Sequence, residues 1–294
     1  MMSKMQVWWM AARPRTLPAG VAPVLIGTAA AYADGQFQWL AACCALVGAL
    51  LLQIGVNYAN DYSDFVNGAD TSERVGPTRA TQAGLVSPKA MRNAAVLAFL
   101  LAIIPGCYIV VRGGWIYVGV GIAAMLIALL YTGGPYPLGY LGLGDILVLV
   151  FFGPVAVGGT YHVQALQLTT EVGVASLGPG LLAVALLCIN NLRDIDEDRR
   201  AGKRTLPVRF GPGLARFEYM ACVVIAGLVI PLVMFTLTEH HLFALVPLLV
   251  LPIGVPAIRT VYSQPDGPAL NKVLAATGRI LVVFGITFSI SWVL

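Results

Sequence analysis

Charged residues are scarce in this chain of 294 residues, where Asp, Glu, Lys and Arg together make up 11%. A soluble globular domain usually carries about 25% charged residues. The shortage argues against a soluble domain, a disordered chain and a nucleic-acid-binding protein, because all three depend on more charge than this. Hydrophobic residues make up 58% of the chain, and the mean hydropathy is +0.81. We therefore expect a protein that lies in the lipid bilayer and binds no nucleic acid.

Cysteine is also scarce, and the five cysteines show no spacing typical of a metal site or of a disulfide framework. Each lies within an apolar run, so we expect small side chains that pack in the core or face lipid. They are Cys43, Cys44, Cys107, Cys188 and Cys222.

Long apolar runs are abundant, and each is close to the ~20 residues that an α-helix needs to cross the hydrocarbon core. Nine such runs predict an all-α integral membrane protein with nine transmembrane helices. Glycine is frequent, with 32 residues, as suits close packing between helices in lipid. The runs lie at about 17–33, 39–58, 94–111, 114–132, 145–163, 172–192, 217–237, 242–258 and 273–293.

Basic residues fall almost entirely on one side of the predicted bilayer. With the N-terminus in the cytoplasm, all but two of the 18 basic residues lie in cytoplasmic segments, as the positive-inside rule expects. The exceptions are Arg112, in an outer connection, and Arg279, within the last apolar run. We expect Arg279 to extend its side chain back to the cytoplasmic interface. The long connections are cytoplasmic too, so the functional site is predicted to face the cytoplasm.

Acidic residues are concentrated rather than spread along the chain. Eight of the 14 lie in two short clusters, each directly after an apolar run on the cytoplasmic side. A helix C-terminus carries partial negative charge, so acids there are unfavourable without a cationic partner. Two such clusters therefore predict divalent cations. The first cluster contains Asp61, Asp64, Asp70 and Glu73, and the second contains Asp194, Asp196, Glu197 and Asp198.

The spacing within each cluster favours a shared metal site. Asn60 and Asp64 are four residues apart, as are Asp194 and Asp198, and residues at this spacing lie on one face of a helix. Each pair can aim two oxygens at one point, and Mg²⁺ typically binds one or two carboxylates together with substrate phosphates. We predict these four residues as the metal ligands.

The two clusters also repeat one pattern. Asn60-x3-Asp64-x3-Gly68-x2-Thr71 returns as Asp194-x3-Asp198-x3-Gly202-x2-Thr205, each after the second helix of a four-helix half. The repeat predicts a single domain over 1–294, built from pseudo-repeats at about 1–135 and 136–260 with an additional helix at 273–293. The two acid clusters would then face each other.

These motifs resemble those of a known family. The segment Asn60-Asp61-Tyr62-Ser63-Asp64 resembles the first aspartate-rich motif of the UbiA superfamily of intramembrane prenyltransferases, and Asp194-Ile195-Asp196-Glu197-Asp198 resembles the second. The resemblance covers essentially the whole chain. It implies a UbiA-like bundle with both motifs on cytoplasmic loops.

A narrower resemblance points to one branch of that superfamily. Three segments, 12–18, 76–84 and 190–195, are similar to the MenA branch, the 1,4-dihydroxy-2-naphthoate polyprenyltransferases. Gly68 stands where the 4-hydroxybenzoate enzymes carry an Asp, which argues against that branch. The third acid, Asp70, follows Asp64 by six residues instead of four, so its contact with metal stays open.

The resemblance implies a reaction, its partners and a location. A polyprenyl diphosphate and 1,4-dihydroxy-2-naphthoate would react in a multi-pass protein of the bacterial cytoplasmic (inner) membrane, with Mg²⁺ as cofactor. It assigns catalytic roles to Asp64, Asp194, Asp198 and Tyr131. It assigns substrate-binding roles to Arg13, Asn57, Asp61, Asp70, Arg79, Asn190, Asn191, Arg193 and Lys203.

Alternatives remain at this stage for the protein and for single residues. Another aromatic acceptor, as in phylloquinone, tocopherol or haem O synthesis, fits the same motifs. A secondary transporter fits less well, because transporters place ionisable groups near the bilayer midplane. Tyr131 is either a site residue or an interfacial aromatic, and Asp61 is either a metal ligand or a residue that supports one.

Overall fold

The computed structural model describes residues 2–68, 76–134, 137–239, 241–263 and 266–294, and these residues form helices without any strand. The all-α prediction is confirmed for them. The twelve helices are α1 (Lys4–Ala11), α2 (Pro18–Ala33), α3 (Trp39–Val66), α4 (Pro88–Gly113), α5 (Ile116–Thr132), α6 (Gly144–Ala165), α7 (Thr170–Arg193), α8 (Ile195–Arg200), α9 (Leu206–Phe210), α10 (Pro212–Leu237), α11 (Leu242–Tyr262) and α12 (Gly267–Val293).

Seven of these helices are long and apolar enough to cross a bilayer: α3, α4, α6, α7, α10, α11 and α12. The chain is thus a multi-pass membrane protein. Helices α2 and α5 match the two remaining predicted spans but contain 16 and 17 residues. At 1.5 Å per residue they reach about 24–26 Å, short of a ~30 Å hydrocarbon core. The predicted count of nine spans is therefore confirmed for seven, while two are shorter apolar helices.

Helix α7 occupies the centre of the bundle. In its most apolar stretch, 72% of the residues are buried, the largest share among the seven candidate spans. The helix packs against α6, α10 and α12. The main core cluster is built along it, with Leu182 and Ile189 fully buried beside Phe284 of α12. This central position fixes the end of α7, where the second acid cluster begins.

Glycines let α6 and α7 approach each other closely. A Cβ on Gly180 would lie 2.8 Å from the Leu149 carbonyl oxygen, and one on Gly153 would lie 2.8 Å from the Ser176 carbonyl oxygen. The backbone of α6 is also distorted there, because 151–158 is π-helical and Gly153 has φ −101° and ψ −106°. Small residues of this kind let two helix backbones pack closely, which matters in lipid because the hydrophobic effect does not drive helices together there.

Arg112, the exception to the charge rule, has a structural explanation. Its guanidinium donates hydrogen bonds of 2.8 Å to the Val163 carbonyl and 3.0 Å to the Gln164 carbonyl. These are among the last carbonyls of α6, which have no partner within their own helix, and the helix ends at Leu166 with φ +56°. Arg112 therefore joins α4 to the C-terminal end of α6.

Candidate active site

A cavity of about 470 Å³ opens at the end of the bundle where α3 and α7 finish. The α1–α2 linker, α8 and the segments after α3 and α5 complete its wall. Most residues predicted for the site line it, although their spacing in the chain is wide. These are Arg13, Asn60, Asp61, Asp64, Arg79, Tyr131, Asn190, Asn191, Arg193, Asp194, Asp198 and Lys203.

Two predicted residues remain. Asp70 lies outside the described residues, so its role stays a prediction. Asn57 is buried, and its amide donates hydrogen bonds of 2.8 Å to the Ala12 carbonyl and 3.2 Å to the Thr16 hydroxyl. The substrate-binding role that the resemblance implies for Asn57 stays a prediction. In the fold, this amide holds the α1–α2 linker against α3, and the linker carries Arg13 with φ +52° to the cavity.

The described residues of the first motif, 60–64, lie on a helix, whereas the resemblance implied a loop. Helix α3 continues to Val66, so Asn60 and Asp64 lie one turn apart on its last turns. The Asp61 carboxylate accepts hydrogen bonds of 3.0 Å from the backbone N–H groups of Ala80 and Thr81. Asp61 therefore fixes the segment that carries the next residue of the site, Arg79.

Two cations balance the Asp64 carboxylate. Arg79 forms a buried ion pair with Asp64 Oδ2 at 3.0 Å. Lys203 Nζ lies 3.7 Å from Asp64 Oδ1 and 3.5 Å from Asp198 Oδ1, and 5.2 Å from the centre of the Tyr140 ring. One ammonium group thus bridges the two acid clusters, and the predicted juxtaposition of these clusters is present in the fold.

The second cluster straddles a break between two helices. Asp194 separates α7 from α8, and the Asp198 N–H donates to the Asp194 carbonyl at 2.7 Å, so the two acids remain one turn apart. Both Asp194 carboxylate oxygens accept from Arg193, at 2.6 and 2.7 Å. The same guanidinium donates to Asn271 on α12 at 2.9 Å. Arg193 therefore sets the direction of the Asp194 carboxylate.

Burial governs the ionisation of Asp198. Desolvation raises the pKa of its carboxyl group to about 6; the neighbouring Lys203 lowers that pKa, and Asp194 and Asp64 raise it. A carboxylate whose charge is costly in this way gains more than an exposed one from a divalent cation beside it.

The donor set fits a metal that arrives with a phosphate ligand. Across the described ranges, no group of three or more His, Cys, Asp or Glu residues is close enough to hold a metal ion. Asp64 Oδ1 is nevertheless buried without a hydrogen bond, and the Asn60 side-chain oxygen already accepts from Thr132 at 2.9 Å. Mg²⁺ needs few protein carboxylates when phosphate oxygens complete its shell.

Tyr131 lies in the cavity wall. Two glycines make room for its side chain: a Cβ on Gly144 would lie 2.6 Å from the Tyr131 hydroxyl, and one on Gly139 would lie 3.1 Å from its ring. Asn190, by contrast, turns its amide back to the Leu186 carbonyl of its own helix at 3.1 Å.

Sequence reasoning missed several residues of the cavity. Thr132 and Tyr140 lie at and after the end of α5, and their partners, Asn60 and Lys203, are distant in sequence. The contact that gives each residue a role therefore could not be predicted from the sequence. The other lining residues without a predicted role include Arg15, Thr78, Leu187, Glu197 and Leu274.

Comparison with known proteins agrees with this geometry. The profile of the UbiA prenyltransferase family matches residues 20–291. Similar proteins from Haemophilus influenzae (36% identical, 98% of this chain and 96% of the relative), Escherichia coli (39%, 98% and 97%) and Mycobacterium tuberculosis (40%, 97% and 96%) are each named 1,4-dihydroxy-2-naphthoate octaprenyltransferase.

Solved structures share the fold at low sequence identity. A UbiA homologue from Archaeoglobus fulgidus bound to GPP and Mg²⁺ superposes with a TM-score of 0.69 at 16% identity, covering 98% of this chain and 99% of the other. The family profile spans nearly the whole chain, and the relatives align over nearly their full length. The chain therefore belongs to the UbiA prenyltransferase family.

Proposed function

We propose that this protein transfers a polyprenyl group from an allylic polyprenyl diphosphate to 1,4-dihydroxy-2-naphthoate, giving demethylmenaquinol for menaquinone biosynthesis. One observation carries the proposal. Asp64 and Asp198, from two motifs far apart in the sequence, face each other across one cavity with a lysine between them. The names of the relatives at 36–40% identity support the choice of acceptor.

Two carboxylates and their neighbours would hold the diphosphate. Asp64 and Asp198, with Asn60 and Asp194 beside them, would bind Mg²⁺, whose charge makes diphosphate a better leaving group. Arg79 and Lys203 already lie against these carboxylates, within reach of phosphate oxygens at the same place. Arg13, on the tethered linker, would add a third cation.

The bond changes balance without a redox partner. The C1–O bond of the allylic diphosphate breaks, and diphosphate leaves with the electron pair. The ring carbon that bears the carboxylate then forms a bond to C1. The bond to the carboxylate breaks next, CO₂ departs, and its electron pair restores the aromatic ring. The cavity must exclude water, which would otherwise capture the allylic cation.

Tyr131 and the cationic residues would stabilise opposite charges at the reacting centre. The electron-rich face of an aromatic ring attracts positive charge, and the two glycines beside Tyr131 hold its ring in the wall of the cavity. We propose that this ring stabilises the developing cation at C1, while Arg79 and Lys203 stabilise the departing diphosphate. The asymmetry of basic residues supports a location of this cavity on the cytoplasmic side of the inner membrane.

Product formation tests the proposal directly. Purified protein in neutral detergent is incubated with MgCl₂, octaprenyl diphosphate and either 1,4-dihydroxy-2-naphthoate or 4-hydroxybenzoate. We expect prenylated, decarboxylated naphthoquinol from the first acceptor, loss of turnover with EDTA and recovery with excess Mg²⁺. If no diphosphate is released with either acceptor, the proposal of an enzyme is overturned. Product from 4-hydroxybenzoate alone would overturn the acceptor.

A further inference from the structure

Two arginines have no role in the site described so far. Arg279 lies twelve residues into α12, about 18 Å along the helix axis, and Arg15 lies in the α1–α2 linker. Both side chains are exposed. Neither forms an ion pair with an acid among the described residues. Uncompensated charge on a membrane-spanning helix is costly, and it marks a place where an anion is stabilising.

The two arginines share one groove. This groove of about 260 Å³ runs between the start of α2 and α12, and its remaining lining residues are Pro18, Ala275, Gly278 and Val282. Gly278 brings the two segments together, since a Cβ there would lie 3.2 Å from the Arg15 carbonyl oxygen. Arg279 Nε donates to the Ala275 carbonyl at 3.4 Å, which turns the guanidinium toward the cytoplasmic start of α12.

This chemistry differs from that of the catalytic cavity. Guanidinium groups match the oxygens of a phosphate through paired N–H donors, and the apolar walls suit an acyl chain. The lining residues include no carboxylate, and therefore no ligand for the divalent cation that accompanies a diphosphate. We propose that the groove binds the phosphate headgroup of an anionic phospholipid from the surrounding bilayer.

Arg15 connects this groove with the cavity. It lines both of them, so a lipid that holds Arg15 fixes part of the cavity wall. Resting on the proposed function, this contact predicts a lower KM for the prenyl diphosphate when anionic lipid is present. Lipid binding itself does not depend on that function and is measured without any substrate.

Thermal melting in neutral detergent tests the site. We expect phosphatidylglycerol to raise the melting temperature of the protein by several degrees, and phosphatidylcholine with the same acyl chains to leave it unchanged. Arg279→Gln and Arg15→Gln should each lose more than half of the rise. Arg259→Gln, which removes an exposed arginine at the end of α11 outside the groove, should keep it.

Native mass spectrometry adds a count of bound lipids. We expect one phosphatidylglycerol retained by the unmodified protein and by Arg259→Gln, and none by Arg279→Gln. If phosphatidylglycerol stabilised and bound all variants equally, the proposal would be overturned, since the effect would then reflect the overall positive charge of the protein and not this groove. Displacement of the lipid by geranyl diphosphate with Mg²⁺ would also overturn it, because the groove would then belong to the substrate. Product formation can succeed or fail independently of these results.

Discussion

Lys203 occupies the position where a cation between the two acid clusters would be expected. Its ammonium lies within 4 Å of a carboxylate oxygen from each cluster, and it follows Asp198 closely in sequence, so the second motif carries its own counter-charge. A metal ion alone must displace this ammonium, whereas a metal bound to diphosphate offers it new phosphate oxygens. Cation and diphosphate are therefore expected to bind cooperatively.

Replacing Lys203 with Met tests this competition. We expect Mn²⁺ to bind the substrate-free Lys203→Met variant about tenfold more tightly, a difference of about 1.4 kcal/mol, because the competing ammonium is gone. The gain in Mn²⁺ affinity on adding diphosphate should shrink by the same factor. Electron paramagnetic resonance of Mn²⁺ measures both. Lys89→Met, which removes an exposed lysine that does not line the cavity, serves as control. Unchanged or weaker Mn²⁺ binding would contradict the competition.

Two neighbouring acids of the second cluster differ in their exposure, and this difference gives a matched pair of variants. Asp198 is buried and lines the cavity, whereas Asp196 is exposed and pairs with Arg199. We expect Asp198→Asn to lower kcat about 100-fold or more, in the range for loss of one preorganised electrostatic group. Asp196→Asn should stay within about twofold of the original rate. Initial rates of diphosphate release measure both variants, and equal losses would mean that the site is misplaced.

Residue spacing predicted which acid-cluster residues share a helical turn, but not which distant residues contact them. The separation of four residues correctly placed Asn60 with Asp64 and Asp194 with Asp198, because a helical turn is a local property. Asn57 shows the limit, since nothing in its spacing from Ala12 and Thr16 indicated that its amide binds the α1–α2 linker. A buried amide takes whichever acceptors the tertiary packing supplies, and sequence alone does not contain that information.

At the scale of elements, the end of α3 shows how tertiary charge extends a helix. The family resemblance implied that the first motif lies on a loop, and carboxylates at a helix C-terminus oppose the helix dipole. In the folded protein, Arg79 and Lys203 neutralise Asp64, and the helix continues to Val66. The neutralising residues lie 15 and 139 positions away in the chain, so the helix boundary depended on contacts that propensity does not describe.

The contact between α6 and α7 gives a prediction at the same scale. We expect Gly180→Ala to destabilise the protein by about 1–3 kcal/mol, the usual cost of overpacking, because its Cβ would meet the backbone of α6 at Leu149. Gly173→Ala is the matched control on α7, since its Cβ has nothing within 4 Å. Melting temperatures in detergent measure the difference. Equal stability of the two variants would show that the helices separate more easily than their packing implies.

At the scale of the whole molecule, polar groups divide the bundle into two different ends. The cavity and both acid clusters lie at one end. At the other, Arg112 holds the end of α6, and Tyr161 donates a hydrogen bond to Asp34. The apolar runs and the charge asymmetry predicted this polarity, because both follow from the physics of the bilayer. The division into two four-helix halves and an additional helix stays a prediction.

Thiol labelling in intact cells tests the orientation. A membrane-impermeant maleimide should label Leu168→Cys, in the exposed connection between α6 and α7, but not Lys89→Cys at the start of α4. The original chain, with its five cysteines, gives the background. Permeabilised cells should label both positions. The opposite pattern would invert the topology and place the cavity outside the cytoplasm.

The hydrogen bonds at the end of the bundle opposite the cavity have a consequence for the prenyl tail of the substrate. Gln164, whose carbonyl binds Arg112, also donates to the Thr28 hydroxyl at 3.3 Å, so α2, α4 and α6 are joined across that end. We infer that a long isoprenoid tail would have to break these hydrogen bonds to pass between the three helices at that end.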